Sequence, residues 1–244
     1  MLSKNQVKFI RSLKKKKLRQ ANQMFLAEGI KVVEELLSSS FKLHKIYCTA
    51  SYQNPLNITD LQIITERELG MISDFTNPNQ VIAIFEIPKG AAPQHQGLTV
   101  ALDDINDPGN LGTIIRLCDW FGVTQLICSE NTVDCFNPKV VQASMGSLTR
   151  VAIYYVDLAE YLSKDSRVIY GTFLDGENIY NTSHEPNSVI VLGNEANGIS
   201  KEIENIVSHR IAIPRFGTLK ATESLNVATA TAILLSEFSR AIEM

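Results

Sequence analysis

Short runs of apolar residues alternate with stretches of helical spacing along most of the chain. Runs such as "VIVL" at 189–192 are apolar at every position, which is typical of strands buried on both faces of a parallel sheet. Segments such as 111–121 repeat apolar residues every three or four positions, which predicts helices that cover such a sheet. The alternation of the two patterns predicts an α/β fold in both halves of the chain.

The first half predicts a small N-terminal α/β domain over 1–87. Its predicted helices cover 4–20, 31–40 and 66–74, and its predicted strands cover 24–29, 42–50 and 81–87. Residues 88–97, "PKGAAPQHQG", are rich in Pro, Gly, Ala and Gln and therefore predict a linker.

Residues 98–244 predict a larger α/β domain with a mainly parallel sheet and helices on both faces. Its predicted strands cover 98–104, 125–129, 150–156, 167–173, 188–193 and 210–214. Its predicted helices cover 111–121, 138–146, 158–163, a segment from about 200 and a long segment at the C-terminus. We expect Glu223 or Ser224 to cap this last helix.

The composition is that of a soluble globular chain. Of the 244 residues 45% are hydrophobic, and no apolar run approaches the roughly 20 residues needed to span a bilayer. The first residues are polar and lack the apolar core of a signal peptide, so we expect a cytoplasmic protein without a membrane partner. The cysteines lack C-x-x-C spacing and predict buried thiols rather than a zinc site or disulfides. They are Cys48, Cys118, Cys128 and Cys135.

Positive charge is concentrated at one end of the chain. Residues 1–27 hold eight basic residues and no acidic residue, whereas the rest of the chain holds 15 basic and 26 acidic residues. A basic arm on an acidic body predicts a polyanionic partner bound at that end. The candidate contacts are Lys14, Lys15, Lys16, Lys17 and Arg19. The alternative is a solvated, partly helical tail, although no Glu supplies the i±4 pairs of an ordinary surface helix.

The stretch "DDINDPGNLGTIIRLCDWFGV" at 103–123 predicts a helix with two occupied faces. Its core face carries Leu111, Ile114, Ile115, Leu117, Cys118 and Phe121. Arg116 and Trp120 lie four residues apart and therefore neighbour each other on the opposite face. An exposed tryptophan there predicts contact with another subunit or with a nucleic acid. The alternative is a surface arginine stacked on a half-buried tryptophan.

A second stretch, "VIVLGNEANGIS" at 189–200, runs from a buried strand into a polar loop. Open parallel sheets bind ligands beyond the carboxyl ends of their strands, which is where this loop would lie. Gly193 leaves room for a ligand near the backbone, and Ser200 can cap the next helix. The stretch is neither a P-loop nor a G-x-G-x-x-G fingerprint, and alone it is an ordinary strand, turn and helix.

A third stretch, "RIAIPRFGTLKATESLNVATATAILLSEF" at 210–238, leads into a helix whose first turns carry small residues. Small residues allow close packing against the sheet or a partner chain, and Ser224 and Asn226 lie at the polar start of this helix. Elsewhere the chain lacks H-E-x-x-H and G-x-S-x-G, and its four histidines are scattered. We therefore expect neither a hydrolase nor a metal enzyme, and no bound metal.

Taken in order, "NLGTIIR", "GNExxGIS" and "IP…SLNVATA" resemble the three motifs of the SpoU (TrmH-like) RNA 2′-O-ribose methyltransferases of the SPOUT superfamily. The resemblance covers 98–244 and includes "NPKVVQASMGSLTRV" between the first two motifs. The segment "LKKKKLRQANQMFLAEGIKVVEELL" resembles the substrate-binding domain of many members, which has a fold like that of ribosomal protein L30e. The resemblance therefore spans nearly the full chain.

The resemblance implies a fold feature, a cofactor and a partner that the strand pattern does not. It implies a deep trefoil knot at the C-terminus, with S-adenosylmethionine bound in that knot. It also implies homodimers whose active sites draw on both subunits. The implied reaction is methyl transfer to a ribose 2′-hydroxyl of structured RNA, with ribosomal RNA the expected substrate and transfer RNA the second choice.

The resemblance also implies roles for individual residues. The residues implied as catalytic are Asn110, Arg116, Glu195, Ser224 and Asn226, and those implied to contact the cofactor are Gly193, Ile213 and Leu225. In the family, the arginine that Arg116 matches is proposed to help deprotonate the 2′-hydroxyl. A guanidinium is a permanent positive charge, so Arg116 can instead hold a phosphate and stabilise the developing alkoxide. The basic residues at 14–19 become the implied RNA contacts.

Two segments depart from the family pattern. The loop 214–223 is longer and adds Arg215 and Lys220 beside the expected cofactor site, and "NPNQVIAIF" stands where a Pro-Gln-Gly turn is expected. Two other interpretations stay open at this point. One is a non-catalytic RNA-binding protein with the same fold, and the other is a generic nucleotide-dependent α/β enzyme.

Overall fold

The computed structural model describes residues 1–90, 92–219 and 224–242, with the side chains of the last helix described through Arg240. These residues belong to two compact units. The first unit combines Met1–Gly90 with Asp134–Thr149, and the second combines Ala91–Val133 with Arg150–Met244. The chain thus passes between the units inside the predicted linker 88–97 and again on either side of 134–149, a segment predicted to lie in the second domain.

Helices and strands alternate through both units. The helices are α1 Lys4–Ser12, α2 Lys16–Asn22, α3 Ile30–Leu37, α4 Glu66–Ile72, α5 Pro108–Trp120, α6 Pro138–Ser144, α7 Leu158–Ser163, α8 Lys201–Glu204 and α9 Val227–Ile242. The strands are β1 Met24–Glu28, β2 Leu43–Cys48, β3 Leu61–Ile63, β4 Val81–Glu86, β5 Thr99–Leu102, β6 Gln125–Ser129, β7 Ala152–Val156, β8 Val168–Asn178, β9 Ser188–Leu192 and β10 His209–Ala212. Short 3-10 helices cover Ser147–Thr149 and Ile179–Asn181.

The first unit is built on a mixed four-stranded sheet with the order β1-β4-β2-β3. Strand β4 is antiparallel to both β1 and β2, and the short strand β3, which the sequence did not predict, runs parallel to β2. Its core includes Ile10, Leu13, Leu26, Tyr47, Ile64, Leu69, Ile72, Ile82 and Ile84. Each fully buried aliphatic side chain of this kind contributes about 1.5–3 kcal/mol. The unit is therefore a small α/β domain with its own core, as predicted.

The predicted helix 4–20 is two helices, and the assignment of Arg19 to RNA contact is wrong. Helix α1 ends at Ser12 and α2 begins at Lys16. The Arg19 side chain is only 2% exposed, and its Nε and Nη2 donate to the Asp134 carboxylate at 2.9 and 2.5 Å. A guanidinium that is buried and paired in this way cannot reach a phosphate.

An ion pair, an aromatic contact and a close approach at Gly146 hold the segment 134–149 in the first unit. Besides the Asp134 contact with Arg19, the ring of Phe136 lies 4.7 Å from that of Phe25. Gly146 has φ +97°, and a Cβ there would overlap with the side chain of Glu35. These contacts join residues more than 100 positions apart, so the hydrophobic pattern of the segment did not reveal its place.

The second unit is built on a six-stranded sheet with the order β10-β8-β9-β5-β6-β7, in which every paired strand is parallel. This confirms the predicted mainly parallel sheet. One face packs against α7 and α8 through residues such as Ala101, Ile127, Val189 and Val191. Alternate positions such as Val100 and Ile190 are also fully buried. Successive strand residues point to opposite faces, so both faces of the sheet are covered.

A buried ion pair fastens the segment that leads into β5. The Arg167 guanidinium donates to the Asp165 carboxylate at 2.6 Å and to the Gly97 carbonyl at 2.8 Å, and the two charged side chains are 2% and 0% exposed. His95 Nδ1 lies 2.9 Å from the same carboxylate, and its ring stacks on Tyr161. Burial alone would raise the pKa of Asp165, but hydrogen bonds from Arg167 and His95 lower it to about 2.

Two predictions about composition can be compared with this structure. The four cysteines are buried and no disulfide joins them. Within 1–90, 92–219 and 224–242, no helix has both the length and the apolar character needed to cross a membrane.

The Asp165→Asn substitution should lower the free energy of unfolding by about 3 kcal/mol at pH 7, because Arg167 then keeps a buried charge without its counter-ion. The pKa of Asp165 in the folded protein lies below its ordinary value of 3.8. The stabilisation by its carboxylate is therefore fully present above about pH 4 and is lost as the pH falls towards about 2. Urea unfolding of the wild type and of Asp165→Asn should show that the difference between their free energies of unfolding becomes smaller as the pH falls through this range. A difference that does not vary with pH would contradict this account.

Candidate active site

Helix α5 begins three residues earlier than predicted because Asp107 caps it. The Asp107 carboxylate accepts a hydrogen bond from the backbone N–H of Asn110 at 2.8 Å, and Pro108 occupies the first helical position. Both are favourable at a helix start. The cap places Asn110 in the first turn of the helix, close after the carboxyl end of β5.

The loop after β9 folds back on itself and is tied to the loop after β5. The backbones of Asn194 and Gly198 exchange two hydrogen bonds, at 3.0 and 2.9 Å. The Asn194 side chain donates to the Asp104 carbonyl at 2.7 Å, and the Ser200 N–H donates to the Asp103 carboxylate at 2.8 Å. These bonds hold both ends of a tight loop at the carboxyl edge of the parallel sheet.

Gly193 is required by the close return of this loop. A Cβ at Gly193 would overlap with backbone atoms of Gly198 and Ile199. The sequence suggested that Gly193 leaves room for a ligand. The structure adds a reason that is internal to the chain, since any side chain there would force the loop to open.

One chain of hydrogen bonds joins residues from all three motif stretches. The side-chain oxygen of Asn226 accepts from the backbone N–H groups of Ala228 and Thr229, at 3.0 and 3.2 Å. The amide nitrogen of Asn226 donates to the Asn110 side-chain oxygen at 2.8 Å, and the amide nitrogen of Asn110 donates to the Glu195 carboxylate at 2.8 Å. Since the first oxygen must accept, the orientation of both amides follows.

Asn226 caps the last helix, so the expectation that Ser224 caps it is wrong. Helix α9 begins at Val227, and the carbonyl of Asn226 accepts the first intrahelical bond from Ala230 at 2.9 Å. Asparagine is among the best N-cap residues because its side chain reaches the free N–H groups of the first turn. The other expected cap, Glu223, and the basic residue Lys220 lie outside the described residues.

A cavity of about 930 Å³ is lined by several of the predicted site residues. Gly193, Ile213 and Leu225, the three residues implied to contact the cofactor, all line it, as do Glu195 and Ser224. Apolar parts of its wall come from Leu192, Ile211, Val227 and Leu234. Pockets for small ligands have volumes of about 300–1,000 Å³ and are mostly apolar with a few polar groups. The cavity is thus large enough for a nucleotide-sized ligand.

Part of the cavity wall comes from β8, which the sequence did not place at the site. Strand β8 pairs in parallel with β10, but the pairing partner jumps from Gly171 to Glu177 between Arg210 and Ile211. Residues between those two leave the regular pairing, and three of them line the cavity: Thr172, Phe173 and Leu174. The irregular pairing has no signature in the apolar pattern of the strand, which is why these residues were missed.

Arg116 is not brought into the cavity of its own chain. It lies on the exposed face of α5, six residues after Asn110, which is about 9 Å along a helix axis. Across the described part of the chain it makes neither a hydrogen bond nor an ion pair. Trp120, one turn further on, is 84% exposed. Among the described residues, none therefore covers the part of α5 that carries Arg116 and Trp120.

The predicted RNA-binding lysines lie in the first unit and differ in exposure. Lys15, Lys16 and Lys17 are exposed, whereas Lys14 is half-buried and its ammonium group bonds to the Asp74 carboxylate. Within the ranges that the structure describes, no group of His, Cys, Asp and Glu side chains is placed to hold a metal ion.

The sequence matches a known family over most of its length. Residues 97–236 match the model of the SpoU rRNA Methylase family, and residues 4–83 match that of the MRM3-like substrate binding domain. The chain is 30% identical over 241 residues to the 23S rRNA (guanosine(2553)-2'-O)-methyltransferase RlmP of Bacillus subtilis, with 96% of each chain covered.

Solved structures agree with the fold. A proposed RNA methyltransferase of the TrmH family from Porphyromonas gingivalis is 39% identical, with a TM-score of 0.88 over 98% of this chain and 99% of that chain. An AdoMet-bound rRNA methyltransferase from Sinorhizobium meliloti is 30% identical, with a TM-score of 0.83 over 98% and 96%. Both similarities extend over the two units described above.

The Gly193→Ala substitution should weaken binding of S-adenosylmethionine by about tenfold or more, because the loop around Glu195 must open to admit a methyl group. The matched control is Gly70→Ala. Gly70 lies in α4 and does not line the cavity, and a Cβ added there meets no atom within 4 Å, so its substitution should change affinity by less than about twofold. Titration calorimetry measures both. Equal effects of the two substitutions would contradict the role assigned to Gly193.

Proposed function

Because the chain belongs to the SpoU rRNA methylase family, it is an S-adenosylmethionine-dependent RNA 2′-O-methyltransferase, and we propose that it acts on large-subunit ribosomal RNA. The Bacillus relative that matches almost the whole chain is named for 23S ribosomal RNA. Transfer RNA is the second substrate to test. We further propose that the protein works in the cytoplasm, where ribosomal RNA of this kind would be available to it.

The structural observation that supports the methyltransferase reaction is the hydrogen-bonded chain Glu195–Asn110–Asn226. It links the three motif stretches, and Glu195 also lines the cavity. A carboxylate held by a directed amide does not need to reorient when a ligand binds, so its position is set before the reaction begins. A pre-set arrangement of this kind is what a methyl-transfer site requires, because the reaction depends on orientation of the two reacting atoms.

The cavity residues fit the methyl donor. Ile213 and Leu225 line the cavity and would contact the donor mainly through their backbone, and the closed loop after Gly193 would present polar backbone groups without a bulky side chain. The Glu195 carboxylate lies on the cavity wall, where a positive ligand group is favoured. When bound, S-adenosylmethionine supplies a methyl group attached to a positively charged sulfur.

Arg116 supplies the positive charge that the ribose oxygen needs. Methyl transfer to the 2′-hydroxyl would require its oxygen to gain negative charge as the hydroxyl proton leaves to water. A guanidinium stays protonated at neutral pH, so Arg116 acts by stabilising negative charge on the oxygen and by holding the adjacent phosphate. Ser224 lines the cavity beside Leu225 and helps to order the loop before α9.

We also propose that the working molecule is a homodimer. Arg116 and Trp120 form an exposed face of α5, and Arg116 does not line the cavity of its own chain. A second copy that covers Trp120 would bring an arginine from one chain to the cavity of the other. Closed two-fold dimers are the commonest arrangement of soluble oligomers.

The first unit is proposed to bind the RNA. Its match to a substrate binding domain supports this role, as does the exposed run Lys15, Lys16 and Lys17. Contacts of lysines with phosphates release counter-ions, so this part of the affinity should weaken steeply with salt and carry little sequence preference.

The proposed reaction is tested by transfer of labelled methyl from S-adenosylmethionine to RNA from cells that lack the gene. Ribosomal and transfer RNA are tested separately, and Arg116→Ala should reduce transfer by about 100-fold or more with little change in stability, because it removes the charge that stabilises the oxygen. The matched control is Arg67→Ala, which removes an exposed arginine from α4 and should retain activity. Label in neither RNA, despite RNA binding, would indicate a non-catalytic RNA-binding protein instead.

A shared active site predicts that two inactive variants restore each other. A heterodimer of Arg116→Ala and Asn226→Ala subunits, purified through two different tags, should contain one intact site and about half of the wild-type activity. The reason is that the intact Arg116 of one subunit meets the intact Asn226 of the other. If each site uses residues of a single subunit, the heterodimer has no intact site and stays inactive. Each variant alone, carried through the same purification, is the control.

A further inference from the structure

Arg19 follows the lysine run at 15–17 closely in sequence, but its side chain is buried whereas theirs are exposed. Lys15, Lys16 and Lys17 are exposed, whereas Arg19 is 2% exposed. The sequence shows five basic residues within six positions, and Arg19 is the one among them that the structure buries fully. A buried arginine needs partners for its donors, and those partners show what it does.

The guanidinium of Arg19 binds two backbone carbonyls in the turn that directly follows α1. The last carbonyls of a helix lack partners within the helix and need others when they are shielded from water. The Ser12 carbonyl accepts from the Lys15 N–H at 3.0 Å. The next two carbonyls, of Leu13 and Lys14, both accept from Nη1 of Arg19, at 3.0 and 2.8 Å. Arg19 therefore holds the backbone of the turn that leads into the exposed lysines.

Asp134 holds the other side of the same guanidinium. Its Oδ2 accepts from Nε and Nη2 of Arg19, and its Oδ1 accepts from the Phe136 N–H at 3.0 Å. The ring of Phe136 is packed near those of Phe25 and Phe41, with centroids at 4.7 and 6.4 Å. The carboxylate is thus anchored on a packed segment, and Arg19 is held between that segment and the turn after α1.

We propose that Arg19 is a positioning residue for RNA binding, which together with Asp134 pre-orders the turn that presents Lys15, Lys16 and Lys17 to phosphates. The inference rests on the proposed function, because it assumes that this lysine run binds the RNA. An unrestrained run of lysines loses backbone and side-chain freedom on binding, and that loss weakens affinity. A turn held by Arg19 has already lost part of this freedom in the folded protein.

The charge of Arg19 does not contribute to RNA affinity in this account. Its nearest neighbour is the Asp134 carboxylate, and the buried pair has no net charge. Counter-ion release therefore comes from the exposed lysines. The geometry of the guanidinium is what matters, since a lysine at position 19 would keep the charge but could not reach two carbonyls and a carboxylate in one plane.

The test is Arg19→Lys, alone and combined with Lys15→Gln, Lys16→Gln and Lys17→Gln. Filter binding uses ribosomal RNA from cells that lack the gene, and circular dichroism with thermal unfolding establishes the temperature range in which each variant is folded. Alone, Arg19→Lys should weaken binding by about tenfold and raise the KM for RNA. The kcat at saturating RNA should stay within about twofold of wild type. In the background that lacks Lys15, Lys16 and Lys17, the same substitution should change binding by less than about twofold.

A second variant, Asp134→Asn, separates the proposed positioning role from a simple effect of charge, because the two predict opposite changes in RNA affinity. It removes a negative charge, which would strengthen binding to a polyanion if charge alone decided affinity. Loss of the Arg19 anchor should instead weaken binding, and again only when the three lysines are present. The control is Asp60→Asn, which also removes a negative charge from the first unit, at an exposed carboxylate paired with Lys45.

Equal losses with and without the lysines, or no loss from Arg19→Lys in the wild-type background, would overturn the inference. It would also be overturned if the variant that lacks Lys15, Lys16 and Lys17 bound RNA as tightly as wild type. A wild-type protein that binds RNA but methylates neither RNA fraction would instead contradict the proposed function, and the binding comparisons would still decide the role of Arg19.

Discussion

The side-chain amide of Asn226 is the contact on which the arrangement of the candidate active site depends. Two backbone N–H groups at the start of α9 take its oxygen, which leaves its nitrogen to donate to Asn110, and Asn110 in turn donates to Glu195. The bonds between neutral groups contribute only about 0.5–1.5 kcal/mol each to stability, and a bond to a carboxylate contributes about 1.5–3 kcal/mol. These bonds matter mainly because they fix orientation. The orientation of the Asn226 amide determines that of the Asn110 amide, which in turn positions the Glu195 carboxylate on the cavity wall.

The parallel sheet is what lets three distant stretches meet. Strands β5 and β9 are neighbours, and β10 lies two places from β9. Parallel strands end at the same edge, so the loops that follow them lie close together although the bonded residues are 85 and 116 positions apart. The irregular pairing of β8, between β9 and β10, adds a further part of the wall. The first unit has its own sheet and core, and it presents the exposed lysines.

Much of this could be predicted from sequence, and the misses have physical causes. Continuous apolar strands predicted the parallel sheet, and the motif resemblance identified Asn110, Glu195 and Asn226 before their contacts were known. Local patterns could not predict that Arg19 is buried, because its partner Asp134 lies 115 positions away. The sequence predicted the cap of α9 two residues too early, at Ser224 instead of Asn226, because several polar residues that could cap a helix precede α9. The trefoil knot implied by the resemblance stays a prediction.

The most direct test of the central claim is a map of ribose 2′-O-methylation, at single-nucleotide resolution, in RNA from cells with and without the gene. At least one ribose of large-subunit ribosomal RNA should lose its methyl group when the gene is absent. A plasmid copy of the wild-type gene should restore that methyl group, and a copy encoding Arg116→Ala should not. Identical maps of ribosomal RNA in the two strains would contradict the account.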